Sequence, residues 1–85
     1  MSTLTIYGKV NCAWCKEAKV LAERYEIPYE YIDVGYTDGL KELMARAPDA
    51  KTVPQIWWHD RYIGGYQELA SEIENTVGGY GEQKF

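Results

Sequence analysis

An α/β fold, built on a four-stranded mixed sheet with three helices, is predicted by three observations. Short runs rich in Val, Ile, Tyr and Trp alternate with segments whose apolar residues recur at helical spacing. The first two such runs are joined through a helical segment, which makes them parallel neighbours in a right-handed crossover. The last two are separated only by His59-Asp60, the spacing of a tight hairpin.

Each element follows from the residues. Thr3 to Tyr7 alternates, with Leu4 and Ile6 on one face, and reads as a first strand that Gly8 to Asn11 breaks. Cys15, Ala18, Leu21, Ala22 and Tyr25 then recur at helical spacing, with Lys16, Glu17, Lys19, Glu23 and Arg24 on the wet side. This first helix opens at Cys12-Ala13-Trp14-Cys15 and ends near Glu26, before Ile27-Pro28. Tyr29 to Val34 is a second strand, and Gly35 to Gly39 a turn in which Thr37 or Asp38 caps the next helix. Leu40, Leu43, Met44 and Ala47 form the apolar face of that helix, which stops at Pro48. Pro54 to Trp58 and Arg61 to Ile63 make the hairpin, closed by Gly64-Gly65. Tyr66, Leu69, Ile73 and Val77 mark a third helix, ended by Gly78-Gly79. The order βαβαββα, with helices on both faces of the sheet, is a thioredoxin-like architecture. It makes one domain over residues 1–79 and a short polar tail over 80–85 that is expected to be loose.

Composition narrows the function. At 85 residues, 46% of them hydrophobic, the chain is sized for a single domain with a modest core. A formal charge of −4 weighs against nucleic acid or anionic membrane as a partner. No apolar run approaches the ~20 residues of a membrane span. Met1 to Ile6 has neither the basic start nor the apolar run of a secretory signal. The expectation is a monomer in a reducing cytoplasm, the host's if the chain is viral, where a purely structural disulfide would be unusual.

The two cysteines, Cys12 and Cys15, close too small a loop to restrain much unfolded chain, so chemistry or a shared metal must explain them. A zinc site wants four ligands, and His59 in the hairpin turn is the single histidine, so no metal is expected. Core packing gives no reason for both sulfurs to stand at a helix mouth. Thiol–disulfide chemistry does. The thiolate is the nucleophile, and unpaired N–H groups at a helix N-terminus favour negative charge there. Cys12 at that end is the attacking sulfur, and Cys15, one turn later on the same face, resolves the mixed disulfide. A Cys-x-x-Cys placed between a strand and a helix is a strong redox signal.

Three separated motifs in order then resemble the glutaredoxins, in the short form found in bacteria and their phages. They are Ile6-Tyr7-Gly8-Lys9 before Cys12-Ala13-Trp14-Cys15, Thr52-Val53-Pro54-Gln55-Ile56, and Ile63-Gly64-Gly65 with Leu69 beyond. The resemblance implies a glutathione-dependent oxidoreductase that reduces protein disulfides and glutathione mixed disulfides, with ribonucleotide reductase a client by family analogy. It implies a cis Val53–Pro54 bond, with Thr52, Val53 and Pro54 shaping a groove in which the Val53 backbone pairs with the cysteinyl part of glutathione. Lys9 would meet the glycyl carboxylate. Gly65 and the residues after it would hold the γ-glutamyl end at the N-terminus of the third helix, through the N–H groups of Tyr66 and Gln67, with Glu68 near the ammonium. Trp14, a large ring between the cysteines, is read as a ligand or protein contact.

Other features stay open at this stage. Taken singly, Lys9 reads as a solvated lysine, Pro54 as the start of an edge strand and Gly64-Gly65 as a plain turn. Tyr7, Trp57 and Trp58 read as core or sheet surface. Lys9, Lys16, Lys19 and Lys51 all fall near the cysteines of an acidic chain, a basic mouth suited to an anionic thiol. Two departures from the family stand out: Ala13-Trp14 replaces the usual Pro-Tyr, and Tyr66-Gln67-Glu68 follows Gly-Gly where an aspartate is common. They keep two rivals in view, a redoxin recharged by thioredoxin reductase and a carrier of a glutathione-bridged iron–sulfur cluster.

Overall fold

The computed structural model describes residues 3–75. The expected Val77, Gly78-Gly79 and the tail over 80–85 lie outside them. Its elements are β1 (Leu4–Gly8), α1 (Ala13–Arg24), β2 (Tyr29–Asp33), α2 (Thr37–Arg46), β3 (Gln55–Trp58), β4 (Arg61–Gly64) and α3 (Tyr66–Ile73). The strands lie in the order β2-β1-β3-β4. β1 pairs in parallel with β2, placing Ile6 beside Tyr31, and antiparallel with β3, placing Ile6 beside Ile56. β3 and β4 form the hairpin, with His59 in its turn at φ 61°.

Strand alternation sends the two faces of β1 into two cores. Leu4 and Ile6 join Ala18, Leu21 and Ala22 of α1, Ile56, and Leu69 and Ile73 of α3. On the other face, Tyr7 and Trp57 pack with Leu43 of α2. The ring of Tyr7 meets Trp57 edge-on, with centroids 5.5 Å apart, and the Arg46 guanidinium lies 4.9 Å from the Trp57 ring. Tyr7 is fully buried, and its hydroxyl donates to Glu42 at 2.8 Å. Burial of the phenol, reinforced by the hydrogen bond to Glu42, pushes its pKa from 10.0 up to about 12. Tyr29 is raised as well, chiefly by its hydrogen bond to Glu23, and Tyr31 chiefly by burial. The folded state therefore favours the neutral phenols. That stability is intact below the ordinary value of 10.0 and is lost as pH rises towards about 12. Urea unfolding across this window should show falling stability, and Tyr7→Phe should flatten the fall in part. An unchanged slope in Tyr7→Phe would contradict the burial of this phenol.

The strands differ from expectation by a residue at their ends, and the helices differ with a local cause. Helix α1 stops at Arg24 and not at Glu26, because Glu26 turns left-handed at φ 57°. The Ile27 N–H then reaches back to the Ala22 carbonyl at 2.9 Å, closing the helix end as a Schellman-type turn. Helix α2 starts at Thr37, so neither Thr37 nor Asp38 is its cap; Tyr36 takes that position without a side-chain bond. Gly39 allows the early start: a Cβ there would lie 2.2 Å from the Asp33 carbonyl oxygen, so only glycine lets this turn rest on the end of β2. Finally, Leu43 is buried, but Leu40 is 45% exposed and Met44 only half-buried. The outer part of the α2 apolar face borders a cleft.

Candidate active site

The sheet creates the site before any side chain is considered. From β1 the chain passes to β2 on one side, while β3 flanks it on the other, so a crevice opens beyond the carboxyl end of β1. β1 ends there at Gly8, where a Cβ would fall 2.4 Å from the Tyr31 hydroxyl and 2.9 Å from Cys15 Sγ. A hydrogen is all that fits, and this lets α1 begin hard against the strand.

Cys12 is the N-cap of α1, in extended backbone, and its Sγ accepts the Cys15 N–H at 3.1 Å. Cys12 is half-buried while Cys15 is fully buried. The two form a disulfide with Cα atoms 5.2 Å apart. The geometry separates their chemistry: an outer sulfur facing the crevice at the positive end of a helix, and an inner one shielded behind it.

Opposite the cysteines stands the Thr52-Val53-Pro54 segment, with a cis Val53–Pro54 bond as the resemblance implied. The Val53 carbonyl oxygen is 3.9 Å from Cys12 Sγ. What holds this segment was not read from the sequence. Gln55, only 7% exposed, donates from Nε2 to the Thr52 carbonyl at 2.9 Å and to its Oγ1 at 3.2 Å. Its Oε1 accepts the Tyr62 hydroxyl at 2.6 Å. A glutamine inside an apolar strand was the available signal, since a buried amide needs partners for all its polar atoms.

Among the described residues, three clefts that reach Cys12 or the N-terminus of α3 meet at these groups. Trp14, Thr52, Val53, Pro54, Gly65, Tyr66, Gln67 and Glu68 line one of about 260 Å³. These are eight of the nine residues expected around glutathione. Its end wall is the N-terminus of α3. The Leu69 N–H bonds the Gly65 carbonyl and the Glu68 carboxylate takes the Gly65 N–H at 2.9 Å, leaving the first-turn amides of Tyr66 and Gln67 without an acceptor among the described residues. Trp14, 57% exposed, is packed in part by the chain itself, its ring 5.2 Å from that of Tyr66.

Lys9, the ninth, lies with Cys12 in the other two clefts. One, of about 500 Å³, runs beneath α2 between Lys9, Asn11 and Lys51, over Val34, Leu40, Leu43, Met44 and Ala50. The other holds Lys16, Lys19 and Tyr31. Tyr31 donates to the Lys9 carbonyl at 3.2 Å, and the Lys19 ammonium sits 4.2 Å from its ring centroid. All four lysines of the expected basic mouth thus border clefts that contain Cys12.

Against known proteins, a glutaredoxin family model matches residues 4–63. The chain belongs to the glutaredoxin family. Glutaredoxin 1 of Escherichia coli strain K12 is 34% identical over 80 residues, covering 85% of this chain and 93% of that protein. The solution structure of reduced E. coli glutaredoxin superposes with a TM-score of 0.75 at 28% identity, over 91% of this chain and 99% of the other. A buckwheat glutaredoxin–glutathione complex shares the fold, with a TM-score of 0.72 at 22% identity over 87% and 70% of the two chains. With its Cys12-x-x-Cys15 pair, this glutaredoxin is a dithiol thiol–disulfide oxidoreductase on a thioredoxin-like fold.

Proposed function

We propose that this glutaredoxin is reduced by glutathione, with Cys12 as nucleophile and Cys15 as resolving thiol. The observation that carries the reading is the position of Cys12 Sγ, 3.9 Å from the carbonyl of Val53, a residue that itself lines the cleft leading to α3. An extended tripeptide thiol bonded to Cys12 can pair its backbone with Val53. The Cys12 thiolate attacks a client disulfide, one client thiolate leaves, and Cys15 then attacks Cys12 Sγ to release the second. Two glutathione molecules return the pair to the dithiol, leaving as glutathione disulfide. The Cys15 N–H, already directed at Cys12 Sγ, holds the thiolate at the helix mouth.

The γ-glutamyl carboxylate is assigned to the free N–H groups of Tyr66 and Gln67. These donors depend on helix position, so the missing aspartate after Gly-Gly does not remove the site. Glu68 gives one oxygen to Gly65 and the other to the γ-glutamyl ammonium, while Lys9 meets the glycyl carboxylate. A buckwheat glutaredoxin solved as a glutathione complex lends the reading support from the same fold. Protein disulfides, ribonucleotide reductase among them, are the proposed clients of a monomer working in the cytoplasm.

Chemical-shift mapping with glutathione on the Cys15→Ser form tests this. Shifts should cluster at Val53 and at Gly65 to Gln67. Lys9→Ala should weaken glutathione several-fold with the fold intact, because an exposed charge contact contributes about 0–1 kcal/mol. No shift at Gly65 to Gln67 would overturn the reading in favour of recharging by thioredoxin reductase.

A further inference from the structure

We propose that the cleft beneath α2 selects protein clients, by accepting an apolar side chain that follows the client cysteine in an acidic segment. The inference rests on the glutathione orientation above, which points the glycyl end of the ligand at Lys9. Glutathione stops at that glycine, with no side chain to enter what lies beyond. A protein client continues, and its next residues meet a space of about 500 Å³ with Leu40, Leu43, Met44 and Val34 on its walls. That space is too large and too apolar to be explained by glutathione. Leu40 remains 45% exposed there, an apolar surface within the lining that also holds Cys12.

Charge defines the rest of the segment. Lys9 and Lys51 border this cleft, Lys16 and Lys19 the one on the far side of Cys12, and among the described residues neither lining contains a carboxylate; Asp49 lines the adjoining cleft beyond Lys51. The chain as a whole carries 13 acidic against 9 basic residues. The separation favours an acidic client at the cysteines and repels it elsewhere, which orients the encounter. An apolar residue in the cleft with a carboxylate beyond it, against Lys51, satisfies both features.

The test uses the Cys15→Ser protein joined at Cys12 to glutathione, equilibrated with thiol peptides of sequence Ala-Cys-X-Glu blocked at both ends. The peptide thiolate attacks Cys12 Sγ, a new disulfide forms, and glutathione leaves as its thiolate. With X as Leu, the peptide should displace glutathione about tenfold better than with X as Ala. Replacing the peptide Glu by Lys should weaken displacement several-fold, less so at high salt. Leu40→Ser should erase the Leu preference while the glutathione mixed disulfide forms as before. Methyl shifts of Leu40 and Leu43 in the Leu-peptide disulfide give an independent reading in the Cys15→Ser protein. Equal displacement by the Leu and Ala peptides, or a Leu advantage that survives Leu40→Ser with the methyls unmoved, would overturn the proposal. Failure of the glutathione reading appears separately, as glutathione holding Cys12 no better than cysteamine, whatever the peptide ratio.

Discussion

Cys12→Ser is expected to abolish reduction of every disulfide substrate, whereas Cys15→Ser should retain reduction of glutathione mixed disulfides and lose most activity on protein disulfides. The asymmetry comes from position. Cys12 caps α1, faces the crevice and receives the Cys15 N–H, while Cys15 is fully buried behind it. A glutathione mixed disulfide needs one attacking sulfur and external glutathione to finish. A protein disulfide leaves the client covalently attached until a second thiol attacks. As the proposed resolving thiol, Cys15 stands within disulfide reach of Cys12, and a pre-positioned group acts at an effective concentration far above any free thiol. Its loss should slow protein reduction by more than about tenfold at millimolar glutathione. Alkylation of the reduced protein at mildly acidic pH checks the assignment independently: Cys12 should be labelled first, since the thiolate is the reactive form. Labelling of Cys15 first would reverse the roles.

Leu69→Ala should strongly destabilise the fold and, through it, the site. Leu69 is fully buried in the core shared by α1, β1 and α3. Truncating a buried leucine to alanine removes about 2–5 kcal/mol. A domain of this size has roughly 4–13 kcal/mol in total. Each kcal/mol shifts the melting temperature by about 4–8 °C in a domain of 60–100 residues, so a drop of at least about 8 °C is expected by circular dichroism. The effect reaches the cleft because α3, eight residues from Tyr66 to Ile73, is too short to persist without its packing. The Tyr66 and Gln67 amides are oriented only while Leu69 anchors the helix. A loss below about 3 °C would show that α3 is not held by this core.

Patterns that repeat along the chain were legible in the residues. Alternation and helical spacing place all seven elements in order, and a cysteine pair between a strand and a helix marks the redox chemistry in the residues alone. Eight of the nine residues expected at the glutathione cleft also line one cavity, because three motifs far apart in sequence mark the same crevice. Features that depend on what a side chain meets across the fold were not legible. Gln55 looks like one more strand residue until Thr52 and Tyr62 are seen to satisfy its buried amide. Leu40 and Met44 have the spacing of core residues, but helical periodicity gives the face of a helix and not how far the neighbouring strand extends beneath it. β2 ends at Asp33, Gly39 draws the first turn of α2 down onto that end, and beyond it Leu40 overhangs a cleft while Met44 packs at the edge of the core and borders the same cleft. The chemistry at Cys12 is local, carried by neighbours in sequence and a helix end. Which clients reach it depends on the space between elements, and that space exists only after they pack.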